Sequence, residues 1–182
     1  MNRIAWVVVV LLALAGGIVA WQAWATIAPK RAFDDLTVYF DGTRAPKPAE
    51  IAPHFEALHR AGPEELRTLI RSNLDSGDDR RRATALHLVG SWRVIIDDWG
   101  TVATAPAAPR PETEAADEFL PDIEAALSEP DPLLRIAGVE AYSALLQPSA
   151  ALTDRVRSIA QDDSDESARE HATQVLAAKS GR

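Results

Sequence analysis

The longest run of apolar residues along the chain lies close to its N-terminus. Between residues 4 and 28 no side chain is charged and only two are polar. At a rise of about 1.5 Å per residue, a helix of this length would span a hydrocarbon core of about 30 Å. Trp6 lies near one end of this run, and Trp21 and Trp24 lie near the other. Tryptophan side chains favour the headgroup level of a bilayer. The pattern predicts a single transmembrane anchor over residues 1–28, with lipid contact through residues 4–28.

A cleaved signal peptide is the alternative interpretation of the same segment. Ala23, Trp24 and Ala25 fit the small-x-small pattern of a cleavage site. The apolar run is, however, longer than the roughly 7–15 residues of a signal-peptide core. We therefore predict a retained anchor, and a secreted soluble domain remains the alternative.

The charges on either side of the run point in opposite directions. Arg3 and the α-amino group favour a cytoplasmic N-terminus, whereas Lys30 and Arg31 favour a cytoplasmic C-terminal side. A short, positively charged N-terminal tail usually stays in the cytoplasm. We expect the C-terminal domain to be extracytoplasmic, on the periplasmic side, with cytoplasmic exposure as the alternative.

The stretch that follows the anchor has a different pattern. Residues 29–48 contain three prolines, and Leu36, Val38 and Phe40 alternate with other residues. Alternation with a period of two is typical of an extended strand. The sequence therefore predicts an extended tether over residues 29–48, with a short strand or arm that packs along the first helices.

Apolar residues at the helical period dominate the rest of the chain. They predict a first helical block over residues 49–100 that ends in one long helix from Asp78 or Asp79 to Gly100, and a second block over residues 114–178. A Pro/Ala-rich loop over residues 101–113 separates the blocks. Residues 179–182 form a tail. The predicted class is all-α: a transmembrane helix followed by a short helical array.

The predicted turns between helices share a pattern of residues. In each turn an Asp lies four residues before an Arg, and a small residue follows three positions later. The Asp can cap the following helix, and the small residue permits close helix packing. The three pairs are Asp78 and Arg82, Asp131 and Arg135, and Asp165 and Arg169.

This pattern resembles a HEAT-like repeat over roughly residues 63–178. The resemblance implies an α-solenoid, in which paired helices stack and the repeated Asp and Arg residues are structural corner residues. It also implies a protein–protein interaction or scaffold module. A helical bundle without repeats, whose turns use the same capping chemistry, is the alternative.

Composition and charge narrow the classes of partner. The net charge is −8, which disfavours binding to nucleic acid although Arg80, Arg81 and Arg82 are consecutive. The chain has no cysteine, which excludes disulfides and thiolate chemistry. A protein of unknown identity is the expected partner. Its candidate contact surface combines aromatic and acidic residues near the end of the first block: Trp92, Asp97, Asp98 and Trp99. Core packing or covering by the proline-rich loop for the two tryptophans, and a solvated helix end for the two aspartates, are the favoured alternatives.

The sequence predicts no catalytic, cofactor-binding or metal-binding residues, and the protein is not expected to be an enzyme. His54 and His59 are five residues apart, which places them on different faces of a helix. The acidic segment 162–166 lacks the glycine and the distal Glu of an EF-hand loop. The favoured function is a membrane-anchored scaffold. An enzyme-associated factor similar to bilin lyases, some of which are HEAT-like, is the alternative.

Overall fold

A computed structural model describes residues 27–40, 46–98 and 112–181. In these ranges the regular structure is entirely helical and contains no strand, which confirms the predicted all-α class. The predicted anchor over residues 4–28 lies outside the described residues except at its last two positions. Most of the 101–113 loop also lies outside them. Within the described ranges, no helix combines the length and apolar character that crossing a bilayer requires.

The helices follow one another with short connections. We label them α1 (27–39), α2 (Pro48–Ala61), α3 (Pro63–Leu74), α4 (Asp79–Gly90), α5 (Trp92–Ile95), α6 (Glu114–Asp117), α7 (Leu120–Ala126), α8 (Pro132–Ser143), α9 (Ala150–Asp162) and α10 (Glu166–Ser180).

Prolines open several helices and a glycine separates two of them. Pro48, Pro63 and Pro132 lie at the start of α2, α3 and α8, where the missing N–H costs no hydrogen bond. Gly62 ends α2 with a φ of 88°, a backbone conformation that favours glycine. Pro121 lies in the first turn of α7, the helix that follows α6.

The predicted extended tether is wrong over residues 29–39, which form most of α1. Phe33 and Leu36 are fully buried, at the spacing of one helical face. Val38, which the strand pattern would place on the same side as Leu36, is 72% exposed. Burial of the helical face that carries Phe33 and Leu36 outweighed the preference of the short apolar alternation for a strand.

The single long helix predicted from residue 79 to 100 is also wrong. Helix α4 ends at Gly90, and between Ser91 and residue 98 the described chain forms the short helix α5. Helix α5 places Trp92 and Ile95 in the core, where they are 2% and 0% exposed. The spacing of apolar residues in this stretch is that of one helix, but burial in the core divides it into two.

The second members of the helix pairs stack side by side. Helix α4 packs against α3 and α8, while α8 packs against α7 and α10, and α10 packs against α9. One continuous apolar core runs through this stack and includes α1. Its largest fully buried side chains are Tyr142, Phe33, Phe119, Leu36, Leu58, Leu66, Ile70, Leu86, Leu88, Ile95, Ile123 and Leu127.

Glycine permits the closest approach between α4 and α8. A Cβ atom at Gly90 would lie 2.7 Å from Cγ of Glu140 and 2.9 Å from its backbone oxygen. At Gly138, a Cβ atom would lie 3.1 Å from Cβ of Ala126. Helix α8 can therefore pack closely against α4 and α7 because neither of these positions carries a side chain.

We expect Gly90→Ala to destabilise the protein by about 1–3 kcal/mol, because the added methyl group meets the backbone of α8. Urea denaturation of the full chain in mild detergent measures the effect. Gly77→Ala is the matched control, since a Cβ atom there meets no other atom within 4 Å. Equal free energies of unfolding for the two variants would contradict the close approach.

Candidate functional site at the helix corners

The three predicted corner aspartates each cap a helix. The Asp78 side chain accepts hydrogen bonds from the backbone N–H groups of Arg80 and Arg81. Asp131 accepts one from Leu133, and Asp165 accepts one from Ala168. Each carboxylate thus binds backbone donors that the first turn of a helix leaves unpaired, and its negative charge favours the positive end of the helix dipole.

The arginine four residues after each cap reaches toward a corner. Nη2 of Arg82 donates to Oε1 of Glu129 at 2.6 Å. Arg135 binds Asp163 through two parallel hydrogen bonds of 2.6 and 2.7 Å. Glu129 and Asp163 each lie two residues before the capping Asp of the next corner. The same register therefore joins the first corner to the second and the second to the third.

Arg135 and Arg169 also bind backbone oxygens of their own corners. Nη1 of Arg135 donates to the carbonyl of Glu129 at 2.9 Å, and Nη1 of Arg169 donates to the carbonyl of Asp163 at 2.6 Å. These two carbonyls occupy equivalent positions before their caps. One guanidinium can hold both corners because it presents five donors in a planar fork.

The Arg135–Asp163 pair is the most enclosed ion pair of the corners. The side chains of Arg135 and Asp163 are 12% and 6% exposed, compared with 26% and 29% for Arg82 and Glu129. The hydrogen bonds from Arg135 hold the pKa of the Asp163 carboxyl below its usual value, and the same contact raises the pKa of Arg135. Both groups are therefore charged throughout the physiological pH range.

The predicted partner surface is only partly available to a partner. Trp92 is buried, and the guanidinium of Arg67 lies 5.2 Å from the centre of its ring, so the prediction of an exposed contact at Trp92 is wrong. Asp97 is exposed. Asp98 is half-buried and binds Arg93 at 2.9 Å. Trp99 lies outside the described residues. Trp92 is therefore not available to a partner, because α5 buries this side chain in the core.

Sequence reasoning missed a cluster of ionisable side chains on the stacked helices. Nε2 of His171, on α10, lies 2.9 Å from Oε2 of Glu140, on α8. His87, on α4, stacks on the ring of Phe40 with 4.6 Å between ring centres. Burial lowers the pKa of His87 to about 4. Although burial raises the pKa of Glu140, its hydrogen bond with His171 and the nearby histidines bring that pKa below its usual value.

The corner alignment contains the signal that could have located this cluster. His87 lies nine residues after Asp78, and Glu140 lies nine residues after Asp131. Equivalent positions on stacked helices lie side by side, so the two residues were neighbours in the aligned pattern. His171, by contrast, is not at the equivalent position of its helix. Its proximity to Glu140 depends on how α10 packs.

The described residues contain no group of three His, Asp or Glu side chains arranged to hold a metal ion. An open groove of about 360 Å³ lies beside the corners, lined by Arg80, Asp131, Asp165 and Ser167 among others. Its two aspartates already cap helices. What this arrangement can do is fix the orientation of successive helices.

Comparison with known proteins adds no family. Neither the protein-family models, nor the curated proteins, nor the solved structures contain a match to this chain.

Replacing Arg135 by Gln should destabilise the protein by about 3 kcal/mol, because it leaves the Asp163 carboxylate enclosed and without its cation. Arg82→Gln should cost about 1 kcal/mol, since that pair is more exposed. Arg157→Gln removes an exposed arginine that pairs with the exposed Asp154, three residues earlier, and should change stability by less than about 0.5 kcal/mol. Urea denaturation at pH 7 measures all three, and an equal loss in each would contradict the graded burial.

Stability should also fall between about pH 6.5 and pH 4 because of His87. In this range the unfolded chain binds a proton at His87 that the folded chain does not, so stability is lost as the pH falls. The loss should reach at most about 3 kcal/mol at pH 4. His87→Gln should reduce it, whereas the control His54→Gln should not. A pH dependence of urea denaturation that His87→Gln leaves unchanged would refute this assignment.

Proposed function

We propose that this protein is a membrane-anchored helical scaffold that binds another protein. Its body is a short HEAT-like α-solenoid, and residues 4–28 are its anchor. The observation that carries this proposal is the repeated contact from one corner to the next, Arg82 to Glu129 and Arg135 to Asp163. A device that repeats in register is typical of arrays of stacked helix pairs.

The corner contacts explain why such a body can present a partner with a fixed surface. Arg82 and Arg135 each join the start of their own helix to the loop before the next one. The apolar core continues beneath these contacts. Helix pairs that cannot separate or slide present their outer faces in a constant relative orientation. A preformed surface binds with a smaller loss of conformational entropy than a mobile one.

The charge of the chain favours a particular class of partner. With a net charge of −8, the body attracts basic protein surfaces and repels phosphate-rich nucleic acid. Asp97 is exposed at the end of the first block, close to Thr113, whose hydroxyl lies 3.5 Å from its carboxylate. We assign the partner surface to this region, where the two helical blocks meet.

The anchor is tested by fractionation of cells that produce the full chain. We expect the protein to remain in the membrane after alkaline carbonate extraction and to keep residues 1–25 in its intact mass, because an apolar helix of this length inserts stably. A control with Leu11→Lys and Leu12→Lys should be extracted. A soluble product that begins after Ala25 would refute the anchor and support secretion.

Because the chain has no cysteine, a single introduced cysteine reports on which side of the membrane the body lies. A membrane-impermeant maleimide should label Gln174→Cys, which is exposed, in intact cells if the body is extracytoplasmic. Ala172→Cys is the control, since Ala172 is 0% exposed and should react only after denaturation. Labelling of residue 174 only after lysis would place the body in the cytoplasm.

The partner surface is tested by a photoreactive amino acid in place of Asp97 in the membrane-bound protein. A discrete crosslinked product is expected from position 97, and no such product from the exposed position 174. Arg135→Gln should weaken that crosslink if the ordered stack is needed for binding. Equal crosslinking from both positions, or none from position 97, would contradict the assignment.

A further inference from the structure

Helix α1 joins the body of the protein immediately after the predicted anchor. Pro29 is already buried, and Ala32 and Phe33 are 4% and 0% exposed. The predicted anchor ends at residue 28. In a helix, the four residue steps from Ala28 to Ala32 span only about 6 Å. The end of the anchor and the body are therefore separated by about one helical turn.

Several contacts fix α1 to the body. Oδ1 of Asp34 accepts a hydrogen bond from Arg81 at 2.8 Å, and the guanidinium of Arg81 also lies 5.3 Å from the centre of the Phe33 ring. At the far end of the helix, Phe40 stacks on His87. Helix α1 cannot move as a separate arm without breaking these contacts and exposing Phe33 and Leu36.

The charges of α1 are distributed unequally along its length. Lys30 and Arg31 are exposed, and neither forms an ion pair within the described ranges. The acidic residues that follow are also exposed, but each contacts a basic side chain of the body: Asp34 binds Arg81, and Oδ2 of Asp35 lies 3.7 Å from Nδ1 of His54. The end of α1 nearest the anchor thus carries two positive charges, next to Ile27, which is 60% exposed.

We propose that the edge of the body that carries Lys30 and Arg31, directly after Ile27 at the end of the anchor, rests on the phospholipid headgroups of the bilayer. This inference depends on the proposed function, because it requires residues 4–28 to be a membrane anchor. An exposed apolar side chain beside two cations suits the boundary between acyl chains and anionic headgroups. The body would then be held at one height and one orientation, and its partner surface would face a fixed direction relative to the membrane.

A short-range fluorescence quenching experiment tests the distance. The full chain is reconstituted in vesicles of phosphatidylcholine and phosphatidylglycerol that carry spin-labelled headgroups. One fluorophore is attached at Ala57→Cys, which borders the cleft lined by Ile27 and Arg31. Another is attached at Gln174→Cys on α10, as the matched control. We expect strong quenching at position 57 and little quenching at position 174.

Insertion of a flexible ten-residue Gly-Ser linker between Ala28 and Pro29 should lower the quenching at position 57 by about twofold or more, because the linker adds a mean reach of about 17 Å. An unchanged urea midpoint would show that the extended variant is folded. If the probe at position 57 is quenched no more than the probe at position 174, the inference is wrong.

The linker-extended chain also tests the two cations, because its body is free to leave the surface. Lys30→Gln with Arg31→Gln should remove the remaining quenching that depends on phosphatidylglycerol. Arg80→Gln with Arg157→Gln, which removes the same charge from two other exposed positions, should leave it unchanged. Equal effects of the two pairs would refute a specific contact at this edge.

The outcomes separate the inference from the proposed function. A chain that does not float with the vesicles after carbonate treatment refutes the anchor, and with it the scaffold at the membrane. A chain that floats but shows no position-dependent quenching keeps the anchor and overturns only the docking of the body on the headgroups.

Discussion

The hydrogen bonds between Arg135 and Asp163 join two helix pairs that share one apolar core. Apolar packing is strong but not directional, so it leaves neighbouring helices free to slide by small amounts. A planar guanidinium with two bonds to one carboxylate and further bonds to two backbone carbonyls fixes both distance and angle. The cost of enclosing the two charges is offset because every partner is present.

The other features of the body follow from helices that are held close together. Gly90 is required because α8 approaches so closely that a Cβ atom there would lie 2.7 Å from Glu140, and Gly138 leaves a Cβ atom only a tight contact of 3.1 Å with Ala126. The same approach places His87, Glu140 and His171 on three adjacent helices, where burial keeps His87 neutral at physiological pH. The scaffold and headgroup proposals both use the resulting rigidity, the first for the partner surface and the second for the orientation of the body.

Local sequence predicted the helix boundaries well wherever a residue with strong backbone chemistry occurs. Asp78, Asp131 and Asp165 cap helices because a short carboxylate can reach the first free N–H groups of its own chain. Pro63 and Pro132 open helices because proline lacks an N–H. Prediction failed at α1 and after Gly90, where the preference of the short segment was weak. There, burial of Phe33, Trp92 and Ile95 determined the conformation.

By itself, the sequence determined the all-α class and the caps at the three corners, because these depend on interactions within a few residues. Only the tertiary structure decided that Arg82 and Arg135 bind the acid before the next cap, that Trp92 is buried, and that His171 meets Glu140. These contacts join residues 28 or more positions apart, and their geometry is set by how the helices pack on one core.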